Sequence, residues 1–316
     1  MKRFLLKIAY DGSSFFGWQN QPVGSTVQQI LEEALSHFAK TKVNLIGSGR
    51  TDTGVHALAQ YAHFDYPVRM TPLEIQRALF SRIPRAISIL EVKEVHAKFH
   101  ARYLARERTY RYIITRHQTP FNRLYKSHIP RKKIDFARMT PCLPFFSGTH
   151  NFRSFAKPNP EEKHYLCTVN RFTIGETGED IIFEVSANRF LHHMLRRLIG
   201  TMITISDKNL PPEIIEDLMA AQAPNQKCIF TVPPEGLYLV SVTYPPGAFQ
   251  APLEARAPID PSDTSVASPS DMSDPSIASL SDPKGPVSVP FLCCTPLRHE
   301  RRSEGPDELR VKWESQ

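Results

Sequence analysis

Cysteine is scarce in this chain. There are 5 in 316 residues (Cys142, Cys167, Cys228, Cys293 and Cys294), and their spacing fits no metal-ligand pattern. An odd number without a signal peptide speaks against a disulfide framework and for a reducing compartment. Long apolar runs are absent as well: none nears the roughly 20 residues that span a bilayer. The stretch Met1–Tyr10 is too short for a secretion signal and reads as a strand. These absences place the protein in the cytoplasm, away from membranes.

Aromatic residues nearly vanish after residue 250. Residues 251–316 hold only Phe291 and Trp313, alongside 10 Pro and 11 Ser. Such a segment buries too little apolar surface to offset chain entropy, so residues 247–316 are expected to form a disordered tail that catalysis does not need. Its Ser-Asp dipeptides at Ser262, Ser270, Ser273 and Ser281 read as low-complexity drift. The tail also hides the charge of the body. It carries 7 Lys/Arg against 11 Asp/Glu, which leaves 32 against 21 in residues 1–250, a surplus of 11. A body this basic suits a polyanionic partner, because each cation that neutralises a phosphate releases a counterion.

What remains reads as α+β. Arg3–Tyr10 is an apolar strand ending at Asp11-Gly12. Ser25 or Thr26 caps a helix whose apolar positions are Val27, Ile30, Leu31, Ala34, Leu35 and Phe38. Val43–Ile46 and Gln60–Asp65 read as strands flanking a Gly-rich segment. Pro72 opens a helix over Leu73–Phe80, and Ile87–Val95 reads as a strand. This βαβ-rich alternation resembles a ferredoxin-like unit. A second unit follows, with strands at Arg108–Thr115, Cys167–Ile174, Asp180–Ser186 and Gly236–Tyr244. Its helices are expected at Ile134–Met139, Phe190–Ile205 and Pro212–Ala221. The expected organisation is therefore 1–106, 107–246 and the tail, with no evident residue-level repeat between the halves.

The densest group of functional residue types is Gly47-Ser-Gly-Arg-Thr-Asp-Thr-Gly-Val-His-Ala57. Glycines let a substrate approach the backbone, while Arg50, Asp52 and His56 offer charge and hydrogen bonds. On residue types alone two other readings stand: Asp52 bonds turn amides, or the loop cradles a phosphate. The second is poorly served, since the segment has neither the Lys-Ser/Thr ending of a P-loop nor G-x-G-x-x-G spacing.

The same segment resembles the Gly-Arg-Thr-Asp-x-Gly-Val-His-Ala signature of the TruA family of tRNA pseudouridine synthases. Tyr10-Asp-Gly with Phe16-Gly-Trp-Gln19 is similar to that family's opening strand and turn, and Arg108-Thr-Tyr-Arg-Tyr112 to its Arg-x-Tyr-x-Tyr strand. Gly148-Thr-His-Asn-Phe152, Phe190-Leu-His-His-Met-Leu-Arg196 and Pro234-Glu-Gly-Leu-Tyr-Leu239 resemble further motifs in the family's order, covering about Met1–Pro245. Ser48, Thr53 and Leu195 depart from the usual residues without removing a group the chemistry needs, and the tail lies outside the match. The resemblance implies two ferredoxin-like α+β halves with a catalytic cleft between them. It also implies a homodimer that isomerises uridines 38–40 in the anticodon arm of tRNA, without cofactor or metal.

By the resemblance Asp52 is the catalytic carboxylate, and Arg196 the cation that keeps it ionised in a dry pocket. On a helix, Arg189, His193, Arg196 and Gly200 would share one polar stripe, which supports that role. Tyr110 is implied as the platform for the extruded uracil, its hydroxyl helping to move the C5 proton. Tyr112, Phe152 and Leu237 read as pocket walls. Arg50 and His56 either touch RNA or brace the loop. A metal reading of His192-His193 is set aside, because adjacent residues on a helix do not face one site. Arg102, Arg106, Arg108, Arg123, Lys126, Arg131, Lys132 and Lys133 are expected phosphate contacts. Two rival readings are a synthase for another RNA position and a non-catalytic RNA chaperone of the same fold.

Overall fold

The computed structural model describes residues 1–249 except Val68, Glu161, Lys163 and Asn225. The tail expected at 247–316 falls, from residue 250 onward, outside the described residues.

In chain order the elements are β1 (Lys2–Tyr10), α1 (Val27–Ala39), β2 (Ile46–Gly47), β3 (His56–Tyr66), α2 (Pro72–Phe80) and β4 (Ile87–Val95). There follow β5 (Glu107–Thr115), α3 (Phe136–Met139), α4 (Leu143–Phe146), β6 (Gly148–Asn151), β7 (Leu166–Thr177) and β8 (Asp180–Ala187). The last three are α5 (Met194–Lys208), α6 (Ile214–Ala220) and β9 (Leu237–Thr243). Local chemistry sets the helix starts. The Thr26 side chain accepts from the Gln29 amide to cap α1, and Thr71 and Glu74 form a capping box ahead of Pro72 in α2. One face of α1 then buries Val27, Leu31, Ala34 and Leu35.

The strands join one mixed sheet in the order β4-β1-β3-β9-β5-β8-β7-β6, with β2 also paired to β3. This is an α+β architecture. Strands β4, β1 and β3 come from the first hundred residues and β5 to β9 from the rest. Among the described residues the two groups pair in the sheet only where β3 meets β9, through His56 opposite Tyr238 and Ala57 opposite Leu239. That pairing is parallel, whereas every other pairing between the named strands is antiparallel. The seam lies where the Gly-rich loop enters β3. A register shift in the β5–β9 pairing falls between Thr109 and Tyr110. Such irregularities re-aim the neighbouring side chain, here Tyr110.

Three expectations need correction, and one strand was not foreseen. Val43–Ile46 is not a strand: β2 is only Ile46–Gly47. Side chains of α1 take the backbone groups a ladder would use. Ser36 Oγ accepts from the Val43 amide, Glu32 from the Leu45 amide, and Gln28 donates to the Leu45 carbonyl. Helix α5 starts at Met194 rather than Phe190, because His193 has left-handed backbone (φ 63°). The helix expected at Ile134–Met139 shortens to Phe136–Met139, capped by the Asp135 side chain. Strand β6 was not anticipated, being four residues of Gly, Thr, His and Asn with no apolar alternation.

Candidate active site

The Gly-rich loop runs from β2 into β3, and its backbone is held from several sides. Gly47 lies against the Trp18 indole, where an added Cβ would come within 2.6 Å of Nε1. Gln60 donates to the Gly49 carbonyl at 3.0 Å, and the Trp18 amide donates to the Thr51 carbonyl at 3.1 Å. The Tyr10 and Thr51 hydroxyls share a 2.7 Å hydrogen bond. Gly17, with φ +85°, lets the Phe16–Trp18 turn close on the loop. A Cβ there would lie 2.7 Å from the Thr51 carbonyl oxygen and 3.1 Å from the Asp52 carbonyl carbon.

Asp52, its side chain 22% exposed, projects from this loop towards the start of α5. Arg196 Nη1 donates to Asp52 Oδ2 at 3.0 Å. The guanidinium is aimed from behind: its Nε donates to the Val232 carbonyl at 2.8 Å, and the Val232 amide donates to the Arg196 carbonyl at 3.3 Å. Gly200, one turn after Arg196, makes that contact possible. A Cβ at Gly200 would sit 2.1 Å from the Phe230 carbonyl oxygen, so any side chain would push the 230–232 segment off the helix. The arrangement satisfies a mostly buried carboxylate with a charge-assisted hydrogen bond.

Two imidazoles converge on the same group. His192 Nε2 lies 3.5 Å from Asp52 Oδ1, and His193 Nε2 lies 3.5 Å from Oδ2. Desolvation pushes both histidines below their ordinary value, outweighing the opposing pull of the Asp52 charge. Sequence reasoning missed this pair because it placed both residues on a helix. They precede α5, so the reason given against a shared site fails. The ligand atoms of Asp52, His192 and His193 lie within 4.8 Å of one another, close enough to share a cation. The Arg196 guanidinium on the same carboxylate opposes one.

Tyr110 is buried, at 9% exposure, with Phe190 edge-on at 5.1 Å between ring centroids. Burial first, and the Asp52 charge second, push its phenol far above the ordinary value. Tyr112 is fully buried and donates to Ser127 Oγ (2.7 Å) and the Pro233 carbonyl (2.9 Å), pinning the segment next to Val232. Leu237 lies opposite Tyr112 in the sheet and is nearly buried.

Other expected contacts sit elsewhere. His56 is buried behind the loop. Its Nδ1 accepts from the Gly12 amide at 3.0 Å, and its Nε2 faces the carbonyls of Leu124 at 3.0 Å and Glu235 at 3.2 Å. Its ring stacks on Tyr238 at 4.7 Å. Of the two roles considered for His56, this geometry is that of a brace. Phe152 is fully buried against Phe155 and His150, leaving no surface to wall an open pocket. Arg50 is exposed and without a polar partner among the described residues.

The basic runs divide in the same way. Arg108 is no phosphate contact: its guanidinium donates to the carbonyls of Ser48, Arg102, Ala105 and Asn188. It thereby ties the catalytic loop to the chain leading into α5. Lys126 is paired with Asp180 and Lys132 with Asp207, and Arg189, expected on the α5 stripe, pairs instead with Glu162. Arg102, Arg106, Arg123, Arg131 and Lys133 remain exposed, with side chains unpaired among the described residues.

A family described as tRNA pseudouridine synthase matches residues 7–104 and 145–245. The chain is 37% identical over 246 residues to tRNA pseudouridine synthase A 2 of Clostridium perfringens, covering 77% of this chain and 100% of that one. It is 38% identical over 245 residues to tRNA pseudouridine synthase A of Idiomarina loihiensis, covering 77% and 93%. It is 35% identical over 248 residues to the Ehrlichia chaffeensis protein of the same name, covering 77% and 100%.

Proposed function

The chain belongs to the tRNA pseudouridine synthase family, and from that membership we propose that it isomerises uridine to pseudouridine in tRNA, with Asp52 as the carboxylate at the glycosidic bond. The reaction breaks the N1–C1′ bond, turns the base and joins C5 to the sugar, so it needs no redox partner. It does need an anion placed where positive charge or a covalent bond develops. The observation that carries the reading is the Asp52–Arg196 contact at 3.0 Å, which presents one carboxylate oxygen while the other is held.

In this reading Oδ1 meets the substrate and Arg196 on Oδ2 holds the carboxylate in place. Tyr110 offers an aromatic face to the extruded uracil, its hydroxyl helping to move the C5 proton. The target base leaves its stack at a cost of a few kcal/mol, which contacts from the exposed Arg102, Arg106, Arg123, Arg131 and Lys133 to phosphates offset.

The proposal extends to finer points drawn from the TruA resemblance. The substrate uridines are 38–40 of the anticodon arm, the working form is a homodimer, and the compartment is the cytoplasm. Residues 1–106 and 107–246 are its two halves, and the tail is dispensable. Cys142 and Cys167 are buried free thiols, which suits a reducing compartment. Mapping pseudouridine in tRNA from cells lacking the protein, with and without a restoring copy, tests the target. Loss confined to positions 38–40 supports it, and an unchanged tRNA map with loss elsewhere rejects it.

A further inference from the structure

Tyr103, on the segment between β4 and β5, is 78% exposed. Phe16, Phe80 and Phe121 are exposed too, but of these four only Tyr103 lies on another ring among the described residues. His100 stacks on one face of it, with 4.2 Å between centroids and 23° between planes. His100 is itself fixed. Its Nδ1 accepts from the Arg102 and Tyr103 amides at 3.3 and 3.2 Å, and its ring meets the buried His63 at 4.7 Å. The tyrosine ring is thus set on a pair of imidazoles that begins in the core, with its outer face open to solvent. Holding a ring in place beforehand lowers the entropy cost of stacking a ligand on it.

The segment that carries Tyr103 is joined to the catalytic loop. Arg108 Nη2 donates to the Arg102 carbonyl and to the Ser48 carbonyl, each at 2.8 Å. One nitrogen therefore holds the residue before Tyr103 beside the loop that bears Asp52. The Arg108 Nη1 bond to the Ala105 carbonyl, at 3.0 Å, and the Arg106 amide bond to the Thr243 carbonyl, at 2.9 Å, anchor the other side. Arg102 and Arg106, which flank the tyrosine, are exposed, as is Arg50 on the loop. An aromatic face bordered by free cations suits a nucleotide, whose base has a π face and whose phosphate is an anion. A second copy of this chain, with the same surplus of basic residues, would set like charges against them.

We propose that Tyr103 is a stacking platform for an unpaired RNA base that neighbours the target uridine. Extruding the target takes a stacking partner away from the nucleotides on either side of it. Tyr103 covers one of the faces so exposed, while Arg102 and Arg106 meet the adjoining phosphates. The contact reads no hydrogen-bonding edge, so it tolerates any base. Its hydroxyl, which has no partner among the described residues, is not needed for it. The effect falls on binding rather than on the chemical step. The inference rests on the isomerase reading above and adds a contact outside the pocket of Asp52, Tyr110 and Arg196.

The test compares wild type with Tyr103→Ala, Tyr103→Phe and Tyr103→Trp, in tRNA binding at several salt concentrations and in turnover. An exposed side chain leaves the fold intact in all three, which thermal melting checks. Tyr103→Ala should bind tRNA about tenfold more weakly. Its KM should rise with kcat nearly unchanged, and its salt slope should match wild type because no cation is lost. Tyr103→Phe and Tyr103→Trp should bind as wild type does. Two hairpin RNAs with 2-aminopurine on one or the other side of the target uridine give a second readout. In one of them the probe should be quenched in the wild-type complex and brighter with Tyr103→Ala. Wild-type affinity in Tyr103→Ala overturns the proposal. So does equal weakening in Tyr103→Phe, which would make the hydroxyl a hydrogen-bonding group, or equal fluorescence with both proteins for both RNAs. A change in the solution mass of Tyr103→Ala overturns it as well, by making the ring a contact between copies. A wild type that binds tRNA and quenches the probe but converts no uridine would instead refute the isomerase reading, leaving the stacking contact in place.

Discussion

Asp52 and Arg196 are 144 residues apart in sequence and 3.0 Å apart in space. The contact joins the loop entering β3 to the first turn of α5, across the seam where the two groups of strands meet. Because Arg196 is also held by the Val232 carbonyl, the pair is built from three segments that sequence order keeps far apart.

Removing the cation leaves a mostly buried carboxylate without its strongest partner. Arg196→Met is expected to abolish turnover and to lower stability by about 3 kcal/mol, the low end for breaking a buried pair because Asp52 keeps some solvent contact. Urea unfolding and a turnover assay on the same preparation check both effects. Near-normal turnover in this variant would show that the pairing is not what keeps Asp52 competent.

Gly200 should act on the chemistry without touching it. In Gly200→Ala the new methyl meets the Phe230 carbonyl oxygen at 2.1 Å unless the 230–232 segment moves. Overpacking of this kind costs about 1–3 kcal/mol. The displaced Val232 carbonyl would release Arg196, so kcat should fall more than tRNA affinity. Thermal melting and a separation of kcat from KM measure the two effects.

Salt should distinguish the free cations from the engaged ones. Binding of tRNA is expected to weaken steeply with salt. Arg123→Ala or Arg131→Ala should weaken it and reduce the log–log slope by about one. Lys132→Ala, whose ammonium is paired with Asp207, should change the slope less. Titrations of binding at several salt concentrations read this directly, and a flat response in wild type would contradict an RNA substrate.

His63 gives the fold an acid limit. It is buried and accepts a hydrogen bond from the Ala101 amide at Nδ1, and burial, with His100 and Arg3 nearby, lowers its pKa to about 4. In the unfolded chain the ordinary value is 6.5. Between these values the unfolded state binds a proton that the folded state does not. Stability is therefore full above pH 6.5, falls as pH drops towards 4, and loses no more to this group below that. His193 and His100 are lowered in the same direction. Urea midpoints from pH 7.5 to 4 should decline in wild type and decline less in His63→Gln.

Much of the fold was legible because local rules and tertiary packing agree. β4 falls at Ile87–Val95 as the apolar run indicates, and α1 and α2 begin at their Thr caps. The misreadings share a cause: a distant or side-chain partner overrides the local pattern. Side chains of α1 capture the backbone of Val43 and Leu45 and suppress a strand. The left-handed turn at His193 delays α5, and nothing in Phe190-Leu-His-His-Met194 announces it. The same turn explains why the approach of His192 and His193 to Asp52 was invisible in sequence. Periodicity treats neighbours on a helix as diverging, whereas these residues are not on one. Phe152 and Arg108 show a further limit, since residue type suggests a pocket wall and a phosphate contact. Burial against Phe155 and four carbonyl partners give them other work.

The central claim is that one acidic side chain carries the reaction, and release of tritium from tRNA labelled at C5 of uridine tests it most directly. Wild type should release label, and Asp52→Ala should release none while binding tRNA nearly as well. Label released by the alanine variant at a rate comparable to wild type would contradict the account.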